Sequence, residues 1–280
     1  MLKRICNCSV FIQTLNEEKN LPRCLDSLKW SDDIVVLDSI SSDRTEEIAK
    51  SYGARFFQRP YDGRANNQNW AVKNIDFKHE WVWYVDADEI TPPELAEEIL
   101  EVTSDTMRKE VCYFVHRNNM FMGKALKHCC REIIARLWKP SFMSWERGAN
   151  PIAKIKGESG FLENRFDHYF FSKGFVDWIN RHNKYSTYES VETIKSLEEN
   201  NFKVFELFSS NPVVRRNAQK QLSYRLPCRP FFRFLHMYVW CRGFLDGKPG
   251  LIYSTLISIY EYFIVLKIKE LKLKGDGKSL

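Results

Sequence analysis

The first hundred residues alternate between short apolar runs and segments whose apolar residues recur every three or four positions. Four apolar runs predict buried strands: 9–15, 33–38, 54–57 and 81–85. Helical spacing covers 18–28 and 44–52, and Pro92-Pro93 marks the start of a further helix. Strands that are apolar almost throughout and separated by helices are typical of a parallel sheet covered on both faces, so we expect an α/β domain.

The pattern is less regular after residue 105. Residues 111–116 and 133–138 predict further strands, and 176–197 predicts a long helix. The apolar stripe expected on that helix contains Val176, Ile179, Tyr185, Tyr188, Val191, Ile194 and Leu197.

Two stretches near the end of the chain, 230–243 and 251–268, are the most hydrophobic. Arg233 interrupts the first, and Glu261 and Lys267 interrupt the second, so neither is a clean membrane span. We expect two interfacial helices whose lysines and arginines face anionic lipid. The alternative is that these helices pack on the rest of the protein, with Lys267 and the following lysines on a solvated face.

Composition excludes a disordered or fibrous chain, because 44% of the residues are hydrophobic and 28% are charged. The net charge of +6 is unevenly distributed. From residue 215 onward there are 13 Lys and Arg against 4 Asp and Glu, whereas the preceding residues have 29 against 32. A slightly acidic body therefore precedes a strongly basic, aromatic-rich tail.

Eight cysteines and the start of the chain bear on the compartment. The residues before Cys6 have no long apolar core or small-residue cleavage site, so we expect no signal peptide and a cytoplasmic protein with reduced thiols. Cys6-x-Cys8 and Cys129-Cys130 lack the paired spacing of a zinc site, which favours structural cysteines.

Acidic residues follow three of the four predicted strands, as Glu17-Glu18, Asp38 and Asp86-Ala87-Asp88-Glu89. Ligands of open parallel sheets bind at the carboxyl ends of the strands. Two aspartates two residues apart can place one carboxylate on Mg²⁺ or Mn²⁺ and the other on a hydroxyl of the same ligand. The alternative for an isolated pair is a solvated turn, and Asp43 is expected to cap the second helix. Gathering of acidic rather than basic residues at this edge argues against a nucleic-acid binder.

Four segments arrive in the order of a known family: 14–18 (TLNEE), 35–45 (VVLDSISSDRT), 63–71 (GRANNQNWA) and 84–89 (YVDADE). Together they resemble the family 2 inverting glycosyltransferases of GT-A fold, and within them the lipopolysaccharide-core glucosyltransferase branch. Weaker similarity to that branch continues in 166–169, 180–186 and 243–247.

The resemblance implies a nucleotide-sugar donor, with a UDP-hexose favoured. The residues that would bind it are Thr14, Asn16, Glu17, Asp38 and Asn67, with Glu17 and Asp38 at the ribose and base.

The resemblance also implies how the diphosphate is held. Asp86 would face the donor sugar or ribose, and Asp88 would hold Mg²⁺ or Mn²⁺ on the diphosphate, since a departing nucleoside diphosphate needs a cation. Arg64 would add a positive contact, the alternative being a surface arginine.

Inverting transfer needs a carboxylate that accepts the proton of the acceptor hydroxyl. Related sequences of the branch often carry a His-Glu pair after the segment that matches Trp145, whereas this chain has Glu146-Arg147 there. We favour Glu146 as the proton acceptor, with Trp145 as a sugar platform. Glu158, Asp167 and Glu89 remain candidates, and a surface Glu146 is the alternative interpretation.

These predictions combine into one architecture. Residues 1–210 would form a Rossmann-like GT-A domain, with a nucleotide-sugar half to about 105 and an acceptor half from about 106; residues 211–280 would form the helical tail. The expected function is transfer of a hexose to a lipid-linked or lipopolysaccharide-type glycan at the cytoplasmic membrane face. A polyprenyl-phosphate glycosyltransferase and an inactive nucleotide-sugar-binding protein are the alternatives.

Overall fold

The computed structural model describes residues 7–130, 132–146, 152–199, 203–209, 212–226 and 228–275. The strands are β1 (Cys8–Thr14), β2 (Ile34–Asp38), β3 (Arg55–Gln58), β4 (Trp81–Asp86), β5 (Glu89–Ile90), β6 (Glu110–Phe121), β7 (Lys124–Leu126), β8 (Glu132–Trp138), β9 (Met143–Glu146), β10 (Ile152–Ile155) and β11 (Glu158–His168). The helices are α1 (Leu21–Asp26), α2 (Thr45–Ser51), α3 (Arg64–Asn74), α4 (Pro93–Ser104), α5 (Phe175–Glu198), α6 (Pro212–Arg225), α7 (Arg229–Leu235) and α8 (Gly247–Gly275). Cys6, which we expected to be a structural cysteine, lies outside the described residues.

The main sheet has a parallel half and a mixed half. Its order is β3-β2-β1-β4-β8-β6-β11-β5, with β7 paired to β6. The four strands from β3 to β4 run parallel, whereas β8 is antiparallel to both of its neighbours. The fold is therefore a mostly parallel mixed sheet flanked by helices, which confirms the predicted α/β class.

The strands and helices predicted in the first hundred residues are present, with ends shifted by up to three residues. The sequence pattern predicted no helix at α3, which begins at Arg64 and has 11 residues. Alternation along β1 explains how the sheet is covered on both faces. Val10 and Ile12 belong to one buried cluster, with α1 and α4, and Phe11 belongs to another, with α3.

Asp33 ties the amino ends of the parallel strands together. Its carboxylate is buried and accepts hydrogen bonds from Ser9 Oγ at 2.5 Å and from the Lys78 backbone N–H at 2.9 Å. The Arg55 guanidinium, on β3, adds an ion pair at 2.9 Å. Burial raises the pKa of Asp33, but the hydrogen bonds and the Arg55 charge lower it by more, so the pKa lies below its usual range.

The chain divides into two compact units at a place that differs from the predicted boundary at 210/211. One unit contains residues 1–125 and 131–172, and the other contains 126–130 and 173–280. Residues 173–210 group with the tail because α5 packs against α8.

The face that α5 buries is also different from the predicted one. Its buried residues include Trp178, Ser186, Ser190 and Thr193, whereas members of the predicted apolar stripe such as Val176 and Tyr188 are exposed. Small hydroxyl side chains let two helix backbones approach closely, and their hydroxyls can bond to carbonyls of their own helix, as Ser186 and Ser190 do.

Asp33 and its neighbour Asp32 provide a matched test of whether Asp33 holds the amino ends of the parallel strands together. We expect Asp33→Ala to lower the free energy of unfolding of unit 1 by about 2–4 kcal/mol, because it leaves buried donors and Arg55 without their acceptor. Asp32→Ala removes only surface pairs with Lys78 and His79, and we expect a loss below about 1 kcal/mol. Urea unfolding of the full chain measures both, and equal losses would contradict the assignment.

Candidate functional site

Three parallel strands end beside one another at the carboxyl edge of the sheet. β1 lies between β2 and β4, with Thr14 level with Asp38 and Gln13 level with Asp86. The structure thus brings together the strand ends at which the sequence placed a ligand.

Asp38 is enclosed by donors from its own unit. Its carboxylate accepts hydrogen bonds from Thr14 Oγ1 at 2.8 Å, from the Ser41 backbone N–H at 2.7 Å and hydroxyl at 2.5 Å, and from Gln58 Nε2 at 3.2 Å. The side chain is fully buried. Asp38 therefore shapes the end of β2 and fixes Thr14 and Ser41, rather than presenting its own oxygens at the surface.

The loops that follow β1 and β2 are joined by hydrogen bonds. Asn16 donates its backbone N–H to Ser41 Oγ at 2.7 Å and accepts from the Ser42 backbone N–H through Oδ1 at 2.8 Å. Glu17 donates its backbone N–H to Thr45 Oγ1 at 2.8 Å. Asn16 has the positive φ of 55° that Asn tolerates better than most residues. The two loops therefore form one preorganised wall at the edge of the sheet.

Asp43 has a role close to the predicted helix cap. Helix α2 begins at Thr45, with Arg44 in the capping position. Asp43 Oδ1 accepts the Thr45 backbone N–H at 3.0 Å, and Oδ2 accepts the Glu18 backbone N–H at 3.1 Å. The carboxylate thus stabilises the start of α2 and joins it to the β1 loop.

Asp86 lies in a cluster of donors at the end of β4. Oδ1 accepts the Tyr84 hydroxyl at 2.7 Å, and Oδ2 accepts from Arg64 Nη2 at 2.7 Å and from Arg136 Nη2 at 3.0 Å. Burial raises the pKa of Asp86, but the Arg64 and Arg136 guanidinium groups outweigh it and hold the pKa well below its usual range. Asp86 is therefore ionised, and a quarter of its side chain remains exposed.

Glu89 lies beneath this cluster and is almost completely buried. Its Oε1 accepts from Arg136 Nη2 at 2.5 Å, and its Oε2 accepts the Asp86 backbone N–H at 2.9 Å. Burial raises the pKa of Glu89 to about 7. With both oxygens engaged inside the protein, Glu89 holds the turn after β4, and its geometry does not favour the catalytic contact with an acceptor that the sequence suggested.

Arg136, on β8, is the cation shared by the two carboxylates. Its side chain is 1% exposed, and its guanidinium lies 4.6 Å from the Tyr84 ring centre and 5.1 Å from that of Phe166. Aromatic faces and two carboxylates compensate for removing this charge from water.

Asp88 lies in the turn after β4, on the side next to the end of β11. Its Oδ2 lies 3.4 Å from His168 Nε2, and its carbonyl oxygen accepts the Tyr169 backbone N–H at 2.9 Å. His168 Nδ1 lies 3.0 Å from Asn119 Oδ1, which orients the imidazole. A carboxylate oxygen and an imidazole nitrogen therefore lie side by side in partly exposed positions.

Two asparagines of α3 have structural partners. Asn67 is buried, accepts from Arg59 Nη1 at 2.6 Å and donates to Ser39 Oγ at 3.3 Å. Asn69 exchanges two hydrogen bonds with the Trp145 backbone, at 2.8 and 2.9 Å, and so fixes β9 against α3.

The candidate proton acceptors lie in different places. Glu146 ends β9 with its side chain 64% exposed and forms an ion pair with Lys154 at 3.3 Å; residues 147–151 of the predicted segment lie outside the described residues. Asp167 accepts from Asn118 Nδ2 at 2.9 Å. Glu158 begins β11 whereas His168 ends it, so about 33 Å of strand separates them and Glu158 is not part of the site.

Residues 9–146, which contain the ends of β1, β2 and β4, match the model of Glycosyl transferase family 2. The chain carries a family 2 glycosyltransferase domain. The family match confirms the predicted enzyme class, while the roles of individual site residues stay predictions.

Two relatives agree with this assignment. An uncharacterized glycosyltransferase of Rickettsia typhi (strain ATCC VR-144 / Wilmington) is 25% identical over 273 residues, covering 95% of this chain and 88% of the relative. The lipopolysaccharide core biosynthesis glycosyltransferase LpsC of Rhizobium meliloti (strain 1021) is 36% identical over 86 residues, covering 29% of this chain and 31% of that protein.

A solved structure with similarity to this glycosyltransferase is glucosyl-3-phosphoglycerate synthase from Mycobacterium tuberculosis, in complex with Mn²⁺, UDP and glucosyl-3-phosphoglycerate. The two are 22% identical with a TM-score of 0.32, and the match covers 42% of this chain and 45% of that one.

Sequence reasoning did not find Arg136 or assign a role to His168. A charged residue inside the apolar strand EIIARLW was the available signal for Arg136, because arginine in a buried strand requires a partner. His168 lies in a segment whose similarity was noted, but its closeness to Asp88 depends on the antiparallel pairing of β11 with β5.

Arg136 provides the test of how the site is assembled. We expect Arg136→Met to lower the free energy of unfolding by about 3–5 kcal/mol, since it leaves the buried Glu89 without its cation and Asp86 with Arg64 alone. Adding Glu89→Gln should recover part of that loss, so that the double variant is more stable than the sum of the single variants implies. Urea unfolding measures all three.

The matched control is Arg108→Met, which removes a surface pair with Asp105 and should cost less than about 1 kcal/mol. Strict additivity of Arg136→Met and Glu89→Gln would contradict the shared ion pair.

Proposed function

We propose that this glycosyltransferase moves a hexose from a nucleoside-diphosphate donor, UDP-hexose being favoured, to a lipid-linked or lipopolysaccharide-type glycan with inversion. The observation that supports it most is the pair of partly exposed carboxylates, Asp86 and Asp88, at the end of β4 beside the ends of β1 and β2. They would bind the donor in the way that open parallel sheets bind nucleotides.

Asp88 and His168 would hold a divalent metal ion. Among the described residues there is no group of three or more potential metal-ligating side chains. A Mg²⁺ or Mn²⁺ ion that is carried by a diphosphate needs only one or two protein ligands, so the Asp88 carboxylate fits either ion. The imidazole nitrogen of His168 suits Mn²⁺ better than Mg²⁺, which prefers oxygen. The ion would neutralise charge that develops on the departing diphosphate.

The joined loops after β1 and β2 would receive the nucleoside. Asn16 and Glu17 lie in the first loop, and Thr14 is fixed by Asp38 at its base. Asp38 is buried, so we propose that it acts by positioning Thr14 and Ser41. A preformed wall lowers the entropic cost of ordering the loops around the donor.

Arg64 and Asp86 would act on the donor as a pair. Arg64 begins α3 with its side chain 39% exposed while one nitrogen holds Asp86. The exposed part of the guanidinium would meet a phosphate oxygen, and the ionised Asp86 would accept a hydrogen bond from a sugar or ribose hydroxyl.

Glu146 remains our proposed proton acceptor. Asn69 fixes β9 against α3 five residues after Arg64, a rise of about 7.5 Å along the helix, so the end of β9 lies near the proposed diphosphate contact. The carboxylate would take the proton of the acceptor hydroxyl as its oxygen attacks the anomeric carbon, and the bond to the diphosphate oxygen breaks on the opposite side.

We also propose that the acceptor is lipid-borne and that the enzyme is peripheral on the cytoplasmic face of the membrane. The partial similarity to LpsC and the +9 balance of residues 215–280 support this proposal. A product with one sugar on a lipid phosphate would instead assign the enzyme to polyprenyl-phosphate glycosylation. Donor binding without turnover would identify an inactive binding protein.

Donor and metal binding can be measured without knowing the acceptor. UDP with Mn²⁺, at 100 times the dissociation constant, should stabilise the protein by about 2.7 kcal/mol and raise its melting temperature. Asp88→Asn should abolish the part of this rise that requires Mn²⁺ while leaving the ligand-free melting temperature unchanged.

Asp105→Asn, a substitution of the same kind in a surface turn, should retain the full rise. The same Mn²⁺-dependent rise in Asp88→Asn and in the unsubstituted protein would refute the metal role.

The proton acceptor has a kinetic test. Glu146→Gln should lower kcat by roughly 10²–10⁴-fold, because general base catalysis contributes that much, and should leave the UDP–Mn²⁺ melting shift intact. Glu158→Gln, at the far end of β11, is the control and should keep the kcat of the unsubstituted enzyme. Unchanged kcat in Glu146→Gln, with a loss in Asp167→Asn, would move the base to Asp167.

A further inference from the structure

One helical segment in the described part of the chain is long and apolar enough to cross a membrane. It runs from Gly243 to Gly275, and its most apolar window has a mean hydropathy of 1.5 with only 17% of the window buried. Length and hydropathy do not say whether such a helix spans a bilayer, lies in its surface or packs against protein. The side chains that interrupt the apolar run decide between these arrangements.

Glu261 is turned toward α7. Its carboxylate forms an ion pair with Arg229 at 2.6 Å and lies 4.0 Å from Arg233. The acid that interrupts the second hydrophobic stretch is therefore neutralised inside unit 2.

Lys267 is turned toward α5. Its Nζ lies between 2.6 and 2.8 Å from four oxygens, which belong to the Asn183 carbonyl and side chain, Ser186 Oγ and Thr187 Oγ1. Lys267 is therefore engaged inside unit 2, which differs both from the lipid-facing lysine that the sequence predicted and from the solvated alternative.

The opposite face of α8 carries an uncharged exposed stripe, which we call the α8 stripe. At about 100° per residue its members fall within an arc of about 80°, and Glu261 and Lys267 lie about 120° to either side of its centre. The α8 stripe consists of Leu251, Thr255, Ile259, Tyr262 and Leu266. Thr255 donates its hydroxyl to the Leu251 carbonyl at 2.9 Å, so the polar group of this residue is satisfied within the helix.

Exposed aromatic side chains and an apolar cavity extend this surface onto α7. Phe231 is 58% exposed, and Trp240, in the π-helical turn that follows α7, is 82% exposed. A cavity of about 410 Å³ opens beside Phe231 and is also lined by Tyr262 of the α8 stripe and by Val265.

The charges around the α8 stripe are of one sign. Within the described part of 215–275 the three acidic side chains are all engaged: Asp246 by the backbone N–H groups of 127–129, Glu261 by Arg229 and Glu270 by Lys274. The exposed cations include Arg233, Arg242, Lys248, Lys269 and Lys272. An uncharged stripe bordered by lysines and arginines complements an anionic lipid surface.

We infer that α7 and α8 bind in the plane of an anionic bilayer, with the α8 stripe and Trp240 in the boundary between headgroups and acyl chains. The cavity would receive part of an acyl chain. Helix α8 does not span the bilayer, because Lys267 fixes it to α5, a helix with charged side chains along its length that hydrocarbon would exclude. The inference deepens the peripheral placement in the proposed function and does not depend on donor binding.

Vesicle flotation of the full chain tests this surface. Binding should be strong with vesicles of phosphatidylcholine and phosphatidylglycerol, weaker with phosphatidylcholine alone, and reduced by salt. Ile259→Asp and Trp240→Asp should each reduce partitioning at least tenfold, whereas Met107→Asp, an 86% exposed apolar residue of unit 1, should not. Lys248→Gln combined with Lys272→Gln should reduce binding to anionic vesicles about tenfold or more, and the pair Lys73→Gln and Lys109→Gln should not.

Three results would overturn the inference. Absence of flotation, or equal flotation of Ile259→Asp, would show that the α8 stripe does not contact lipid. Retention in the vesicles after an alkaline carbonate wash would indicate a spanning helix. A dimer without lipid that Ile259→Asp dissociates would assign the stripe to a second copy of the chain. The UDP–Mn²⁺ melting shift of the same variants separates failure of this surface from failure of the proposed donor site.

Discussion

The shape of the candidate site depends on one buried guanidinium. Asp86 and Glu89 lie three residues apart on a tight turn, and two carboxylates so close would repel each other. Arg136 Nη2 contacts both, at 3.0 and 2.5 Å, from the neighbouring strand β8. The second carboxylate oxygen of Glu89 accepts the Asp86 backbone N–H and so fixes the turn. Asp88 then lies on the outer side of the turn, beside His168. A buried ion pair adds little net stability compared with well-packed apolar residues, so the role of Arg136 here is to fix the positions of Asp86 and Glu89.

The parallel half of the sheet could be predicted because each of its strands is marked by a pattern of neighbouring residues in the sequence. Each of β1, β2 and β4 is a mainly apolar run with acidic residues at or just after its end, and such runs alternate with helical spacing. A chain with that order has few ways to place its strands, and all of them put the carboxyl ends at one edge. The positions of Asp38 and Asp86 relative to each other therefore followed from the pattern, before any side-chain contact was known.

The remainder could not be predicted because it depends on pairing between distant segments. Arg136 reaches Asp86 only because β8 inserts antiparallel between β4 and β6, and the pattern around 133–138 gives no register. The side chain of Asp38 points inward for a similar reason, since donors from the Ser41 loop and from Gln58 converge on it. On α5, hydrophobic periodicity predicted the wrong buried face, because the contact with α8 is made by small hydroxyl residues of α5 and the ammonium group of Lys267.

The net charge of +6 is the sum of two different surfaces. In unit 1 the carboxylates of Asp33, Asp38 and Glu89 are buried with their donors, whereas those of Asp86 and Asp88 stay partly exposed after β4. In the tail Asp246 is engaged by backbone N–H groups and Glu261 by Arg229, whereas exposed cations such as Arg242 and Lys248 remain at the surface. A partly exposed carboxylate suits a metal ion or a hydroxyl, and a surface of lysines and arginines suits an anion. The two surfaces therefore indicate two different ligands, and the total charge describes neither of them.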